Sequence, residues 1–172
     1  MTQVVVAIGS NYQRELNITA ALDALSDHFG ELLISPVYES PAIETGHHYY
    51  NLVVAFSSDV GASAIKQQLR TIEDNQYRQR HSDQVTLDLD LLLYGDQSLV
   101  NDSVHIPHPD ILSRDFVLRP LADLLPATLH PLRQQSLQRL WCDFPKHTLL
   151  IPVELVWRNR IISNPSTVLP LL

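Results

Sequence analysis

The alternation of apolar and polar residues divides the chain into strands and helices. Residues 3–8 are rich in valine and are followed by Gly9, which predicts a first strand that leaves through a turn. Apolar residues at helical spacing fill residues 13–29 and stop at Gly30, which predicts a helix. Further strands are predicted over residues 31–38, 49–57 and 86–94.

The remaining pattern completes an α+β arrangement. A stripe of apolar residues over 65–72 predicts a second helix, which Ser58 or Asp59 can cap. A third helix is predicted near residues 113–125 and a short fourth one over 132–141. The resulting order, β-α-β-β-α-β, is that of the split βαβ motif, so the pattern predicts an α+β fold with a ferredoxin-like core.

The composition excludes several classes of function. The 172 residues are 45% hydrophobic, which suits one domain with a substantial core. A formal net charge of −7 disfavours a sequence-blind nucleic-acid binder and opposes binding to anionic lipid. No apolar run approaches the ~20 residues of a membrane helix, and the first residues lack the basic start of a signal peptide. With a single cysteine, Cys142, these features predict a cytoplasmic protein without nucleic-acid or membrane partners, and they indicate no oligomeric state.

The strongest chemical signal is the stretch TLDLDLLLY over residues 86–94. Successive strand side chains point to opposite faces, so Asp88 and Asp90 are predicted to share one face. The other face is predicted to carry the leucines Leu87, Leu89, Leu91 and Leu93. Carboxylates spaced about 6.6 Å along a strand can converge on one Mg²⁺ or on two metal ions. The alternative interpretation is a half-solvated strand with an acidic outer face.

Several short motifs resemble, in order and spacing, those of the 6-hydroxymethyl-7,8-dihydropterin pyrophosphokinase family of the folate pathway. The motifs are AIGSN at 7–11, YESP at 38–41, YYN at 49–51, IE at 72–73, TLDLDLLLYG at 86–95, IPHPD at 106–110 and RDFVLRPLADLLP at 114–126. The match in order and spacing covers about the first 130 residues, and residues 1–144 are predicted to form a pyrophosphokinase-like domain. This leaves residues 145–172 as a C-terminal extension of unassigned role, in which a strand is predicted over 151–157.

The resemblance implies a three-layered αβα arrangement and a reaction. The reaction is transfer of a pyrophosphoryl group from ATP to the hydroxymethyl group of the pterin, which yields AMP. ATP and the pterin would be the small-molecule partners. Asp88 and Asp90 would bind two Mg²⁺ ions, which neutralise phosphate charge and help to orient the reactants.

The resemblance also assigns residues to the nucleotide. His108 and Arg114 match positions that contact ATP phosphates, and Glu73 matches a position near the adenosine end. Arg78 and Arg80 match catalytic-loop arginines that approach the phosphates when that loop closes. On the residues alone, a loop histidine and an exposed helix glutamate are ordinary alternatives.

Five further residues match the pterin pocket of the family. Tyr49 and Phe116 match the aromatic pair that sandwiches the pterin ring, where offset stacking is favourable. Asn51 matches a residue whose amide reads the edge of the pterin with one donor and one acceptor. Ser40 and Ile43 match the loop that lines the pocket. On the residues alone, Tyr49 and Phe116 could equally belong to the core, and Asn51 could be a polar residue on the outer face of a strand.

The resemblance fails in the segment before the acidic strand. Asp83, Gln84 and Val85 stand where the family carries Gly-Pro-Arg, and the 81–85 loop is shorter. Val85 cannot donate hydrogen bonds to a phosphate, and Asp83 adds negative charge. Two alternatives therefore stay open: a pterin- or nucleotide-binding paralogue with lost or altered catalysis, and a pterin enzyme with another acceptor. A histidine-rich metal protein is disfavoured because the histidines and Cys142 lack the spacing of a closed site.

Overall fold

The computed structural model describes residues 1–41, 46–146 and 148–168. Ten strands and four α-helices are present in these ranges, together with 3-10 helices at Pro109–Ile111 and Pro165–Thr167. In chain order they are β1 (Thr2–Ser10), α1 (Arg14–Phe29), β2 (Leu33–Ile34), β3 (Val37–Ser40), β4 (Tyr49–Ser58), α2 (Ala62–Asn75), β5 (Asp88–Tyr94), β6 (Leu99–Val100), β7 (His105–Ile106), α3 (Asp115–Leu124), α4 (Leu137–Asp143), β8 (Ile151–Val153), β9 (Leu155–Trp157) and β10 (Arg160–Ser163).

One antiparallel sheet of six strands organises the molecule. Its order is β5-β1-β4-β3-β8, and β2 pairs with β4 beside β3. The N-terminal strand β1 lies inside the sheet, between β5 and β4. This order, with α1 after β1 and α2 after β4, is the ferredoxin-like topology, so the predicted fold class is confirmed.

Helices cover both faces of the sheet. Val4 and Val6 of β1 point into a core cluster that includes residues of α1 and α2. Val5 points the other way, into a cluster built with α3 and α4. The continuous apolar run of β1 follows from burial on both faces, and the three-layered αβα arrangement is confirmed. No helix in the described ranges combines the length and apolar character needed to cross a membrane.

A β-bulge corrects the predicted facing of the leucines in β5. Leu91 pairs with Val6 and Leu93 with Val5, so one residue of β5 is unmatched between them. Leu87, Leu89 and Leu91 belong to the cluster of α1 and α2, as the alternation predicts. Leu93 instead joins the cluster of α3 and α4, because the extra residue reverses the alternation beyond it.

Two element boundaries differ from the predictions for local reasons. The N-cap of α2 is Gly61, not Ser58 or Asp59. The hydroxyl of Ser58 instead accepts a hydrogen bond of 3.0 Å from the backbone N–H of Val60. The strand predicted over 31–38 is split into β2 and β3 at Ser35 and Pro36, where the hydroxyl of Ser35 accepts a bond from the Val53 N–H.

The fourth helix starts later than predicted because a side chain organises the preceding turn. Nδ1 of the buried His130 accepts hydrogen bonds from the backbone N–H groups of Leu132 and Arg133. The hydroxyl of Ser136 then caps α4 by accepting from the Arg139 N–H. The helix therefore begins at Leu137, after a turn that the apolar pattern did not distinguish from helix.

The C-terminal extension packs on the domain. Strand β8 pairs with β3, and Leu155 is only 2% exposed within the core cluster of α1 and α2. The hydroxyl of Ser163 accepts a 2.9 Å hydrogen bond from the Val37 N–H, and the Trp157 indole donates one of 3.0 Å to Asp23 of α1. The predicted strand over 151–157 is interrupted between β8 and β9. The division of the chain at residue 144 stays a prediction.

Truncating Leu155 tests how much the extension contributes to stability. We expect Leu155→Ala to lower the free energy of unfolding by about 2–5 kcal/mol, because it removes a buried side chain from the core. The neighbouring Val156 is 49% exposed, so Val156→Ala serves as control and should change it by no more than about 0.5 kcal/mol. Urea denaturation measures both. Equal, small effects would mean that the extension adds little to the core.

Candidate active site

A cleft of about 460 Å³ opens between the α3 layer and the end of the sheet where β5, β1 and β4 lie side by side. Seven of the twelve residues predicted for the site line it: Ser40, Tyr49, Asn51, Asp88, Asp90, Arg114 and Phe116. Ile43 lies outside the described residues. The cleft therefore brings together groups from β1, β4 and β5, from the end of β3 and from the start of α3.

Gly9 forms the floor of the cleft at its centre. Strand β1 pairs Gly9 with Asp88 on one side and with Asn51 on the other. A Cβ atom at Gly9 would lie 3.6 Å from Asn51 Oδ1 and 4.0 Å from Asp88 Cβ, which are ordinary contact distances. The absence of a side chain thus leaves open the space between the acidic group and the amide. Gly9 belongs to the AIGSN motif, but it was not among the residues predicted for the site.

The acidic pair shares one face of β5, as the alternation predicts. Asp88 pairs with Gly9 and Asp90 with Ala7, and both carboxylates line the cleft. Within the described ranges no hydrogen-bond donor or ion-pair partner contacts the Asp88 carboxylate. Asp90 differs, since its Oδ1 lies 3.3 Å from Lys66 Nζ and 3.9 Å from His108 Nε2. The two acidic groups therefore have different surroundings.

Protein walls and negative neighbours raise the pKa of Asp88 to about 6. Partial burial in the cleft is the largest cause, followed by the negative charges of Asp90 and Glu73. The positive charges of Arg78 and Lys66 oppose the shift. Near neutral pH this carboxylate is ionised without a direct counter-charge, which is the condition a bound cation would relieve.

The donor set fits Mg²⁺ held together with substrate phosphates. Among the residues that the structure describes, no cluster of three or more His, Cys, Asp or Glu side chains could enclose a metal ion. Mg²⁺ is commonly bound through one or two carboxylates while phosphates and water complete its octahedron. Asp88 and Asp90 supply those two carboxylates, and the unpartnered Asp88 has oxygens available for it.

A polar edge and two aromatic rings form the other part of the cleft. The buried Asn51 donates a 2.8 Å hydrogen bond through Nδ2 to the hydroxyl of the buried Ser40. In this orientation its second amide N–H and its Oδ1 are left for a ligand. Burial and the nearby Asp88 raise the pKa of Tyr49, so its phenol is neutral. Tyr49 and Phe116 both line the cleft, as predicted for an aromatic pair.

An arginine and a histidine of the predicted nucleotide set lie at or near the acidic end. Arg114 precedes α3 and lines the cleft, and its guanidinium has no hydrogen-bond or ion-pair partner within the described ranges. Nδ1 of His108 accepts from the Asp110 N–H, which assigns the ring proton to Nε2 on the side of Asp90. Asp110 also lines the cleft and was missed, although the PHPD motif contains it.

The predicted nucleotide contact Glu73 has a structural role in this conformation. It is buried rather than exposed on its helix, so the alternative of a solvated glutamate is wrong. Its Oε1 accepts a 2.7 Å hydrogen bond from the Leu89 N–H, and its Oε2 lies 3.1 Å from the guanidinium of Arg80. Contact of Glu73 with ATP stays a prediction.

The two loop arginines are placed differently. Arg80 is bound by the carboxylates of Glu73 and Asp74 at 3.1 and 2.9 Å. Arg78 is close enough to the cleft to lower the pKa values of both Asp88 and Tyr49. Of the pair, Arg78 is thus the one whose charge acts on the site in this conformation.

Asn11 fixes the end of the altered loop. The Val85 N–H donates a 2.6 Å hydrogen bond to Asn11 Oδ1, and the Val85 carbonyl accepts one of 3.0 Å from the Asn11 N–H. Asn11 Nδ2 also donates to the carbonyl of Asp83. Val85 is 8% exposed, so the position at which the family carries an arginine is occupied by a buried apolar side chain.

Carbon-13 NMR titration of the aspartates tests the electrostatics of the acidic pair in metal-free protein. We expect the Asp88 carboxyl to titrate near 6, and Asp90→Asn to lower its pKa because a like charge is removed. Asp96→Asn, in the turn after β5, is the control and should leave that pKa unchanged.

The same shift has a consequence for stability. The folded state holds the Asp88 proton more tightly than the unfolded state, so protonation of Asp88 stabilises the fold. This stabilisation is fully present below pH 3.8 and is lost as pH rises to about 6. An Asp88 midpoint near its ordinary 3.8 in the folded protein would contradict the arrangement.

Comparisons with known proteins agree with the motifs. The family model described as 7,8-dihydro-6-hydroxymethylpterin-pyrophosphokinase matches residues 5–126. A 2-amino-4-hydroxy-6-hydroxymethyldihydropteridine pyrophosphokinase of Haemophilus influenzae is 30% identical over 157 residues, covering 87% of this chain and 98% of that protein. The enzyme of the same name from Pseudomonas aeruginosa is 36% identical over 132 residues, covering 72% of this chain and 81% of its own length.

Solved structures support the fold. A crystal structure described as HPPK-DHPS in complex with substrates superposes with a TM-score of 0.68 and 12% identity over 83% of this chain. Wild-type HPPK-DHPS of Plasmodium falciparum with pteroate gives a TM-score of 0.66 and 14% identity over 82% of this chain. The chain spans less than half of both solved chains, 45% and 44%, and at these identities the likeness concerns the fold alone. From the family match and the sequence relatives, the chain belongs to the 7,8-dihydro-6-hydroxymethylpterin-pyrophosphokinase family.

Proposed function

We propose that this chain transfers a pyrophosphoryl group from ATP to the hydroxymethyl group of 6-hydroxymethyl-7,8-dihydropterin, in folate biosynthesis. The pterin hydroxyl oxygen bonds to the β-phosphorus, the bond from that phosphorus to the α,β-bridging oxygen breaks, and the hydroxyl proton is released. The products are AMP and the pterin diphosphate. The observation that carries the proposal is a single cleft in which an acidic pair adjoins an aromatic and amide-lined slot. Family membership supports it. The single cysteine, Cys142, suits a cytoplasmic location.

In this proposal Asp88 and Asp90 hold Mg²⁺, two ions by the family resemblance, together with the phosphates of ATP. When bound, the metal neutralises phosphate charge and thereby favours attack by an oxygen nucleophile. The role of the chain's own carboxylates is to fix the place where the triphosphate lies. That place is beside Gly9, directly across the cleft floor from Asn51.

The pterin would occupy the slot between Tyr49 and Phe116. A flat ring between two aromatic side chains gains about 0.5–1.5 kcal/mol per stacked pair beyond the burial of area. The second amide N–H and the Oδ1 of Asn51 would then pair with the edge of the pterin, while Ser40 holds the amide in this orientation. Ile43, from the preceding segment, is proposed to complete the pocket.

Arg114 and Arg78 would provide positive charge to the phosphates, and His108 would donate a hydrogen bond to them through Nε2. Arg114 supports this role best, because it lines the cleft and its guanidinium lacks a protein partner within the described ranges. A planar guanidinium can hold two phosphate oxygens at once. Arg80 would have to leave Glu73 and Asp74 before it could approach the nucleotide.

The buried Val85 favours slower turnover than a loop with an arginine at this position would give. Loss of one donor to transition-state charge raises the barrier by about 2.7–4 kcal/mol, or about 10²–10³-fold in rate. The same observation favours the second candidate, a paralogue that binds pterin and nucleotide without efficient transfer. The retained acidic pair and the open slot favour the enzyme.

Release of AMP in the presence of the dihydropterin and MgATP tests the reaction. We expect AMP to form, and Asp88→Asn to slow its formation by at least about 10²-fold, because a metal-binding charge is lost without a change of shape. Asp96→Asn should retain activity. Tight pterin binding by calorimetry without AMP above the Asp88→Asn level would establish the binding paralogue instead.

The aromatic slot makes a separate prediction. Phe116→Ala should weaken binding of the pterin by about tenfold, since it removes one stacking surface, while MgATP binding stays within about twofold. Phe144→Ala is the matched control, because Phe144 stacks on Trp141 and does not line the cleft. Fluorescence titration with the pterin measures the affinities. Equal effects of the two substitutions would remove Phe116 from the pterin site.

A further inference from the structure

Lys66 contacts the acidic pair from the opposite helical layer. Its Nζ lies 3.3 Å from Asp90 Oδ1 and 3.5 Å from the carbonyl oxygen of Leu89. The neighbouring Ile65 and Leu69 are fully buried, so α2 is held firmly against the sheet. The stem of Lys66 is therefore anchored beside β5, while its ammonium group is at the edge of the cleft. Neither the motifs nor the resemblance assigned this residue a role.

Lys66 differs from the other basic residues near the cleft because it contacts the Asp90 carboxylate directly. Within the described ranges, Lys66 Nζ is the only ammonium or guanidinium nitrogen within 4.0 Å of the Asp90 carboxylate, and His108 Nε2 lies at 3.9 Å. The loop position where the resemblance calls for an arginine holds the buried Val85. The Val85 N–H donates to Asn11 Oδ1, and the Val85 carbonyl accepts from the Asn11 N–H. Arg80 is occupied by Glu73 and Asp74. The ammonium group that contacts Asp90 thus comes from a helix, whereas the loop acts on Asp88 through the charge of Arg78.

We propose that Lys66 is a positioning residue that couples binding of the divalent cation to binding of the nucleotide, and this inference rests on the proposed function. A metal ion that arrives alone must compete with Nζ for Asp90 Oδ1, and the displaced ammonium then lies beside a like charge. When triphosphate arrives with the metal, its oxygens give the ammonium a new partner. Lys66 therefore disfavours the metal alone and favours the metal–nucleotide complex.

The chemistry of the lysine side chain suits this exchange. An ammonium group has three donors on a flexible four-carbon stem, so it can move from a carboxylate to a phosphate without displacement of the helix. The Lys66 side chain is 36% exposed, which leaves it space for that movement. The second lysine of the chain, Lys146, lies against the ring of Trp141 and provides an internal comparison.

The test measures two affinities of the full chain, that for Mn²⁺ alone and that for Mn²⁺ with a non-hydrolysable ATP analogue. We expect Lys66→Met to tighten binding of Mn²⁺ alone and to weaken binding of the Mn²⁺–analogue complex, each by about fivefold or more. Lys66→Arg, which keeps the charge, should restore both affinities towards those of the unaltered chain. Lys146→Met should change neither. Electron paramagnetic resonance titration and calorimetry provide the two measurements.

The opposite signs distinguish coupling from a structural role. If Lys66→Met weakens both affinities together, or changes neither, the proposal is wrong. The unaltered chain provides a check that needs no variant: mass-spectrometric labelling of amines should show Lys66 protected by the Mn²⁺–analogue complex and made more reactive by Mn²⁺ alone. Unchanged labelling of Lys66 in both states, measured relative to Lys146, would likewise overturn it.

The proposed function and this inference can fail separately. Absence of AMP release together with opposite affinity shifts would reject the transferase reaction and keep Lys66 as the coupling residue of a binding protein. AMP release that depends on Asp88, together with affinities insensitive to Lys66→Met, would reject the coupling and keep the reaction.

Discussion

Two carboxylates of like charge are held on the same face of β5 while the opposite face of that strand is fixed in the core. Asp88 and Asp90 cannot separate, because Leu89 between them is buried and because β1 pairs with both positions. Burial in the cleft, together with the negative charges of Asp90 and Glu73, raises the pKa of Asp88 and leaves the cleft in need of positive charge. The packing of β5 in the core thus keeps the two carboxylates close together in spite of their repulsion.

The other groups of the cleft are arranged around this acidic pair. Gly9 keeps the floor open between the acidic end and the Asn51 amide, so charge and hydrogen-bond recognition share one space without contact. Helix α3 supplies an aromatic wall through Phe116, and Arg114, the residue that precedes the helix, supplies a cation. Val85 is buried, so the cation in contact with Asp90 comes from Lys66 on α2, while Arg78 acts on Asp88 through its charge.

Much of this arrangement can be predicted from the periodicity of the sequence, but few of the contacts between individual side chains can. The alternation in TLDLD is enough to place Asp88 and Asp90 on one face, and the motif resemblance indicates half of the lining residues. The bulge in β5 has no such signal, since an extra residue in a run of leucines leaves the hydrophobic pattern unchanged. The contact between Lys66 and Asp90 joins residues 24 positions apart in different layers, so only the fold reveals it. Likewise, the burial of Glu73 depends on how α2 packs on β5.

The late position of strand β8 in the chain affects the state of the sheet while the protein is being synthesised. It pairs with β3, and the Ser163 hydroxyl further along the chain completes the hydrogen bonding of Val37. These segments emerge after every residue of the cleft has been synthesised. Until they arrive, β3 carries an unpaired edge, which is an attractive template for another nascent chain. Strand β8, which is made after the cleft residues, is therefore the segment that protects the β3 edge from intermolecular strand pairing.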